Sequence, residues 1–174
     1  QELEADHNEL VVINLNPTVK KVQLRNCSLK SLMFMSKLKS LQELDVSNNQ
    51  LSDVRLNSYL PKLELGLLDL SNNGIKYVEG LELACPNLKQ LLLNNNELYS
   101  LKGIYCEVVK LQKLEVLDLL SNEFERSEDE EHVRQVILKL QKQLSNIRTI
   151  NRMLAMGNIN TRGSREIRST ENSR

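Results

Sequence analysis

The side chains best suited to chemistry are few and scattered. Three cysteines stand at positions 27, 85 and 106, and two histidines at positions 7 and 132. A zinc site gathers four such ligands, usually at Cys-x-x-Cys or closely spaced His positions, and none of these residues has that spacing. His7 and His132 lie among acidic residues, far along the chain from the thiols. No nucleophile elbow, phosphate-binding glycine loop or paired acid and base with supporting spacing accompanies them. The sequence therefore argues against an enzyme, and neither a metal nor any other cofactor is expected. Unpaired thiols suit a reducing compartment, so an intracellular protein, cytoplasmic or nuclear, is the expectation.

Composition narrows the ligand classes further. Lys plus Arg and Asp plus Glu number 23 each, so net charge draws in neither nucleic acid nor an anionic membrane. Aromatic residues make up 3% of the chain and Trp is absent, against a platform for stacking bases. No apolar run reaches the roughly 18 residues of a membrane span, and no basic-then-apolar leader opens the chain. The first residue is Gln1 rather than Met, as in a piece of a longer protein. Asn26-Cys27-Ser28 matches a glycosylation acceptor, but a three-residue pattern arises readily by chance, and this one falls within a repeat.

That repeat organises the chain. The pattern L-x-x-L-x-L-x-x-N/C-x-L occurs five times, and the first copy places Val19, Val22, Leu24, Cys27 and Leu29. The second has Leu41, Leu44, Val46, Asn49 and Leu51; the third has Leu65, Leu68, Leu70, Asn73 and Ile75. Leu88, Leu91, Leu93, Asn96 and Leu98 form the fourth, and Leu114, Leu117, Leu119, Asn122 and Phe124 the fifth. Successive copies begin 22, 24, 23 and 26 residues apart. Each unit is a short strand and a turn that cannot bury its own apolar side, so the units must stack. The fold class is an α/β repeat, a leucine-rich-repeat solenoid with a parallel concave sheet and an irregular or helical convex side. The Asn after each strand carries two donors and an acceptor for the backbone of adjacent coils. Cys27 takes that place in the first copy as a small buried residue rather than a reactive thiol.

The connecting segments are less regular. Residues 30–40 predict a turn or single helical turn, and residues 104–113, with Val108, Val109 and Leu111, a helix. Pro61 and Pro86 mark loops just before new strands. Both ends of a solenoid need a cap. Ser127-Glu128-Asp129-Glu130 reads as a capping box opening a helix with apolar Val133, Val136, Ile137, Leu140 and Leu144. Its acidic first turn, with Lys139 and Lys142 near its end, complements the helix dipole, a plainer role than metal or partner binding. Leu144, Ile147 and Ile150 predict one last strand-like turn. At the start, Leu10, Ile13 and Leu15 before Asn16-Pro17-Thr18 suggest a hairpin or partial coil. The expected organisation is an N-terminal cap over 1–18, five repeats over 19–126, a C-terminal cap over 127–156 and a polar Arg-rich tail over 157–174, unstructured in isolation or docked elsewhere.

Over roughly residues 19–151 the chain resembles the short intracellular leucine-rich-repeat proteins closed by a characteristic C-terminal cap. That group includes acidic nuclear phosphoproteins, the spliceosomal U2 A-prime protein and phosphatase-regulating repeat proteins. The resemblance is carried by Cys85-Pro86-Asn87-Leu88, by Leu114-Glu115-Val116-Leu117-Asp118-Leu119, and by the run from Leu144 through Ile147 and Ile150 to Asn151. It implies a protein or ribonucleoprotein partner and no catalytic residues. The long acidic tail of the nuclear phosphoproteins and the aromatic anchors of phosphatase binders are absent, and Asn151 stands where the cap usually has Asp.

The register also gives the surface on which a partner would sit, because side chains between the inward leucines point outward. These are Lys21, Gln23 and Arg25; Glu43, Asp45 and Ser47; Leu67, Asp69 and Ser71; Gln90, Leu92 and Asn94; and Val116, Asp118 and Leu120. The face is expected to begin basic, turn acidic, and end with an apolar patch of Leu67, Leu92, Val116 and Leu120 that marks a partner site. Asp45, Asp69 and Asp118 share one strand position and could form a ladder reading basic groups, but Leu-Asp-Leu is a common spelling of this repeat, and the expectation is that these carboxylates are simply solvated. The sequence thus predicts a non-catalytic adaptor or scaffold holding a protein on the concave face, with no small-molecule substrate and no membrane. The alternative is a ribonucleoprotein subunit using Lys20, Lys21, Arg25 and the tail on phosphates.

Overall fold

In the computed structural model the described residues are 2–6, 16–56, 62–151 and, by backbone alone, 153–154. In chain order the strands are β1 (Glu2–Glu4), β2 (Lys21–Gln23), β3 (Glu43–Asp45), β4 (Val54–Arg55), β5 (Leu67–Asp69), β6 (Val78–Glu79), β7 (Gln90–Leu92), β8 (Val116–Asp118), β9 (Thr149–Ile150) and β10 (Met153–Leu154). One sheet runs β1-β2-β3-β5-β7-β8-β9-β10, parallel until β10 pairs antiparallel with β9. The strands β4 and β6 form a separate parallel pair.

Each main-sheet strand is short because the pattern permits only one outward-inward-outward step before the chain must turn. The inward residues align across the sheet: Val22 with Leu44, Leu44 with Leu68, Leu68 with Leu91, Leu91 with Leu117, and Leu117 with Ile150. All lie in one buried core together with the following file of Leu24, Val46, Leu70, Leu93 and Leu119. Neighbouring strands sit about 4.8 Å apart, whereas packed helices need about 8–10 Å, so the sheet takes the inner, concave side of the stack.

The turn after each strand explains the asparagines. Asn26, Asn48, Asn72 and Asn95 adopt left-handed backbone with φ of 56, 57, 53 and 55°, and Ser121 does so in the fifth copy. Asn tolerates that conformation better than most residues with a Cβ. The next residue is the ladder position. Asn49 Oδ1 accepts from the N–H groups of Cys27 and Leu29, both at 2.9 Å, and its Nδ2 donates to the carbonyls of Leu24 and Val46, both at 2.8 Å. Asn73, Asn96 and Asn122 repeat the arrangement one coil further on each time. In the first copy Cys27 Sγ points to the Ala5 carbonyl at 3.0 Å, within a buried environment.

On the return side a 3-10 helix, Met33–Lys37, answers the short segment expected at residues 30–40. Helix α1 (Leu81–Ala84) is followed by α2 (Leu101–Val108), which starts earlier and ends sooner than the sequence predicts. The reason is Ser100, whose side chain accepts from the Gly103 N–H and starts the helix, while residues 109 and 110 turn the chain toward β8. Pro86 lies in the turn between α1 and β7, and Pro61 lies outside the described residues.

The C-terminal helix differs from expectation at its start. Residues Phe124–Ser127 make a separate helical turn, α3, with Phe124 buried, and α4 spans Glu130–Gln143. The N-cap of α4 is Asp129, which accepts from the His132 N–H at 3.1 Å, while the Ser127 hydroxyl donates to the Glu123 carbonyl. Glu128 serves a different helix, accepting from the Leu101 N–H at the start of α2. Along α4 Leu140 is buried, as is Leu144 just beyond it, whereas Val133, Val136 and Ile137 are half-buried against the core. Leu144, Ile147 and Ile150 then close the stack through β9. Asn151 serves as the terminal ladder residue: φ is 53°, and Oδ1 accepts from the Leu119 N–H at 2.9 Å. At the other end β1 pairs in parallel with β2, so residues 2–6 add one further strand to the sheet. Leu10, Ile13, Leu15, His7 and the tail from Gly157 lie outside the described residues.

Candidate binding surface

The parallel register arranges the outward side chains of the sheet in files. The first file runs Glu2, Lys21, Glu43, Leu67, Gln90, Val116 and Thr149; the second runs Glu4, Gln23, Asp45, Asp69, Leu92 and Asp118. Just beyond the strands lie Asp6, Arg25, Ser47, Ser71, Asn94 and Leu120. All fifteen residues expected from the sequence therefore fall on one face, joined by four that were not, namely Glu2, Glu4, Asp6 and Thr149.

Those additions change its electrostatics. The face was expected to begin basic, but β1 brings acids beside the two cations. Arg25 Nη2 lies 2.7 Å from Asp6 Oδ2 and its Nε 3.9 Å from Asp45 Oδ2, while Lys21 Nζ is 3.6 Å from Glu43 Oε2. The Asp6 carboxylate also accepts from the Arg25 N–H at 2.8 Å, tying the first coil to the second. Among the described residues the face carries Glu2, Glu4, Asp6, Glu43, Asp45, Asp69 and Asp118 against Lys21 and Arg25, so the described part of this surface is acidic although the net charge of the chain is zero.

The aspartate file also has internal work. Asp45 Oδ1 accepts from the Ser47 N–H at 3.0 Å and from its hydroxyl at 2.7 Å. Asp69 Oδ1 does the same with Ser71, at 2.9 and 2.6 Å, and Asp118 Oδ1 accepts from the Leu120 N–H at 3.2 Å. Ser47, Ser71 and Asp118 are buried rather than open to solvent, as is Asn94, which follows Leu92 instead of an aspartate. Burial pushes the Asp69 carboxyl above its ordinary value, its bonds to Ser71 oppose the shift, and the charges of Asp45 and Asp118 add to it.

The four apolar residues of the expected patch are half-buried, because side chains on strands 4.8 Å apart shield one another. Leu92 and Val116 line a hollow of about 340 Å³ with Asp69, Ser71, Asn94 and Asp118. The most exposed large apolar side chains lie on return segments instead: Met33 at 64%, Leu83 at 67% and Tyr99 at 58%. Tyr99 borders two further hollows of about 420 and 530 Å³, and Arg55 stacks 4.9 Å above the Tyr77 ring beside the larger one. Return segments have no strict period, so the sequence pattern gave no sign of these residues. His132 stands exposed on α4 with Nε2 3.5 Å from Glu128 Oε2.

Known proteins agree with this architecture. A family model described as leucine-rich repeat matches residues 34–155. The chain belongs to the leucine-rich repeat family. Within it, 93 residues are 42% identical to podocan of Mus musculus, covering 52% of this chain and 14% of that protein. A further match, 29% identical over 117 residues, is to Ras guanine nucleotide exchange factor V of Dictyostelium discoideum, covering 59% of this chain and 6% of the relative. The leucine-rich repeat chain thus spans only a small part of the length of these relatives. Among solved structures, one from the Drosophila melanogaster SNF/U2A' complex superposes with a TM-score of 0.58 at 24% identity, covering 88% of this chain and 73% of the other. That likeness is one of fold. No helix among the described residues is long and apolar enough to cross a membrane.

Proposed function

We propose that this leucine-rich repeat domain is a non-catalytic interaction module that holds a segment of a protein partner on its concave face. The observation that carries the reading is the register itself. It places half-buried Leu67, Leu92, Val116 and Leu120 on neighbouring strands among charged residues, on a surface fixed in advance by the asparagine ladder. A preformed surface loses little conformational freedom on binding, and an apolar centre with a polar rim is the usual anatomy of a protein interface. Among the described residues no three His, Cys, Asp or Glu side chains converge as metal ligands would. The free thiols of Cys27, Cys85 and Cys106 fit a reducing, intracellular setting, whether cytoplasm or nucleus.

The test is affinity capture from cell lysate with the domain and with a Leu92→Glu, Leu120→Glu variant whose circular dichroism matches wild type. Loss of specific proteins with the variant supports the concave site; identical recovery removes that face from consideration. A second reading, a ribonucleoprotein subunit, takes its motivation from the U2 A-prime resemblance and the solved SNF/U2A' neighbour. It is weakened by the engagement of Lys21 and Arg25 with carboxylates. Capture of RNA alone, falling steeply with added salt, would favour it.

A further inference from the structure

We propose that the arginine-bearing tail of this same chain, residues 155–174, lies across the concave face with Arg162, Arg165 and Arg168 over the carboxylates of β3 and β1, covering surface that a partner would take. The partner's claim on that surface rests on the preceding reading; the contact of tail and sheet does not.

Charge points first to the tail. At the β1–β3 end the described outward face carries Glu2, Glu4, Asp6, Glu43 and Asp45 against Lys21 and Arg25, with Glu2, Glu4 and Glu43 exposed and Asp45 half-buried. Every lysine and arginine outside the described residues lies in 152–174: Arg152, Arg162, Arg165, Arg168 and Arg174, against Glu166 and Glu171. That basic segment is the one that can answer the acidic excess from within the chain, and the field of the face would steer it there. Its path is set by β10. This strand runs antiparallel to β9 with Leu154 opposite Thr149, so the chain leaves the sheet beside the outward file that leads through Val116, Gln90 and Leu67 to Glu43 and Glu2. At about 4.8 Å per strand, β3 lies about 19 Å and β1 about 29 Å from β9. An extended chain of about 3.3 Å per residue carries Arg162 up to about 26 Å and Arg168 up to about 46 Å from Leu154, so both strands are within reach.

The order of residues in the tail follows the order of the surface. Met156, Ile159, Arg162, Arg165 and Arg168 recur at every third position, which a polyproline II chain places on one side at intervals of about 9 Å. That interval is close to two strand spacings, the separation between the acids of β3 and those of β1. The apolar members come first, where the face offers half-buried Val116 and Leu67, and the arginines follow, where it is acidic. Exposed ion pairs are individually weak, but several act together here, and a tethered segment meets the face at an effective concentration on the order of millimolar.

The experiment attaches a nitroxide to Thr170→Cys in the whole chain, with Cys106→Ser removing the exposed native thiol while Cys27 and Cys85 stay buried. Broadening of backbone amide signals in the NMR spectrum then locates the tail. The expected result is strong broadening at Leu3, Gln23 and Asp45 and little at Leu83 and Tyr99 on the return segments. It should be lost in about 1 M salt, where the screening length is about 3 Å, and in an Arg162→Gln, Arg165→Gln, Arg168→Gln variant. Broadening that survives both changes would overturn the charge argument, and broadening that is even over the chain, or confined to the return segments, would overturn the contact. Mixing the nitroxide chain, unenriched in isotope, with an enriched unmodified chain is the control: broadening at β1–β3 in that mixture would assign the tail to a second copy and overturn the proposal. The substitutions fall in the tail and at an exposed position of α2, so the solenoid should fold, and circular dichroism checks that it does. No partner takes part, so failure of the contact leaves the partner reading of the concave face to its own test.

Discussion

Replacing Asn96 by Ala should destabilise the protein far more than replacing its neighbour Asn95. Asn96 is buried, its Oδ1 accepts from the Ile75 N–H at 3.0 Å, and its Nδ2 donates to the carbonyls of Leu70 and Leu93, each at 3.0 Å. Those carbonyls keep a second donor after the change, from Asn73 and Asn122 respectively, so only the Ile75 N–H loses its side-chain partner outright. An orphaned buried donor costs about 1–3 kcal/mol and each lost bond about 0.5–1.5 kcal/mol, giving about 2–6 kcal/mol in all. Asn95 is exposed with φ of 55°, and its Nδ2 donates to Asn72 Oδ1 at 2.9 Å, so Asn95→Ala should cost about 1–2 kcal/mol for a left-handed Cβ without the Asn side chain, and Asn95→Gly less, chiefly the exposed bond. Urea unfolding followed by circular dichroism measures both, and amide exchange at Ile75 localises the effect. If Asn96→Ala costs no more than Asn95→Ala, or the Ile75 amide stays fully protected, the ladder does not hold the coils together as argued.

Three further outcomes follow from the geometry. Asp129→Ala should lower stability by about 1 kcal/mol through loss of the α4 cap, while Ser127→Ala should change it much less; the reverse order in urea titrations would restore Ser127 as the cap. Because Asp69 has a raised carboxyl in the folded state, that state holds the proton more tightly, and stability falls as pH climbs from the ordinary value of 3.8 through the raised one. Asp69→Asn should therefore gain on wild type in melting temperature across that window and keep the gain at neutral pH; a difference independent of pH would contradict the burial argument. Finally, Cys106 is exposed, Cys27 is buried, and burial pushes the Cys85 thiol up to about 12. A thiol reagent at pH 8 should titrate one group rapidly in the native chain and three in denaturant, and a second fast thiol would show that the core around Cys27 or Cys85 opens readily.

Much of the fold was legible because its physics is local and periodic. Leucine at alternate strand positions and Asn three residues after the last of them can be read from each copy alone, and so can the consequence that copies must stack. What escaped depended on partners distant in sequence. The alternation in Glu2-Leu3-Glu4-Ala5 is too short to announce a strand, and only the β2 edge makes it one. With β1 hidden, Arg25 looked like a free cation instead of the partner of Asp6. The start of α4 was ambiguous for another reason. Ser127 and Asp129 are both good cap residues, and the choice falls to Asp129 because Phe124 must fill the last coil, which commits Phe124–Ser127 to a turn of its own. Of the binding face, the residues were legible and their exposure was not, since shielding by neighbouring strands depends on the sheet rather than on any one repeat.

The aspartates of the sheet carry a charge that the repeat itself does not require. Their recurrence at one position has a structural cause, for Oδ1 secures the backbone N–H two residues on in all three strands. An asparagine would supply the same acceptor without a charge, and the turns of this chain use asparagine freely. The hydrogen bond therefore explains an oxygen at positions 45, 69 and 118, but not a negative charge. At Asp45 the charge faces Arg25 across the sheet. At Asp69 it is held against the pull of burial and beside the like charges of Asp45 and Asp118, an arrangement that folding alone does not favour.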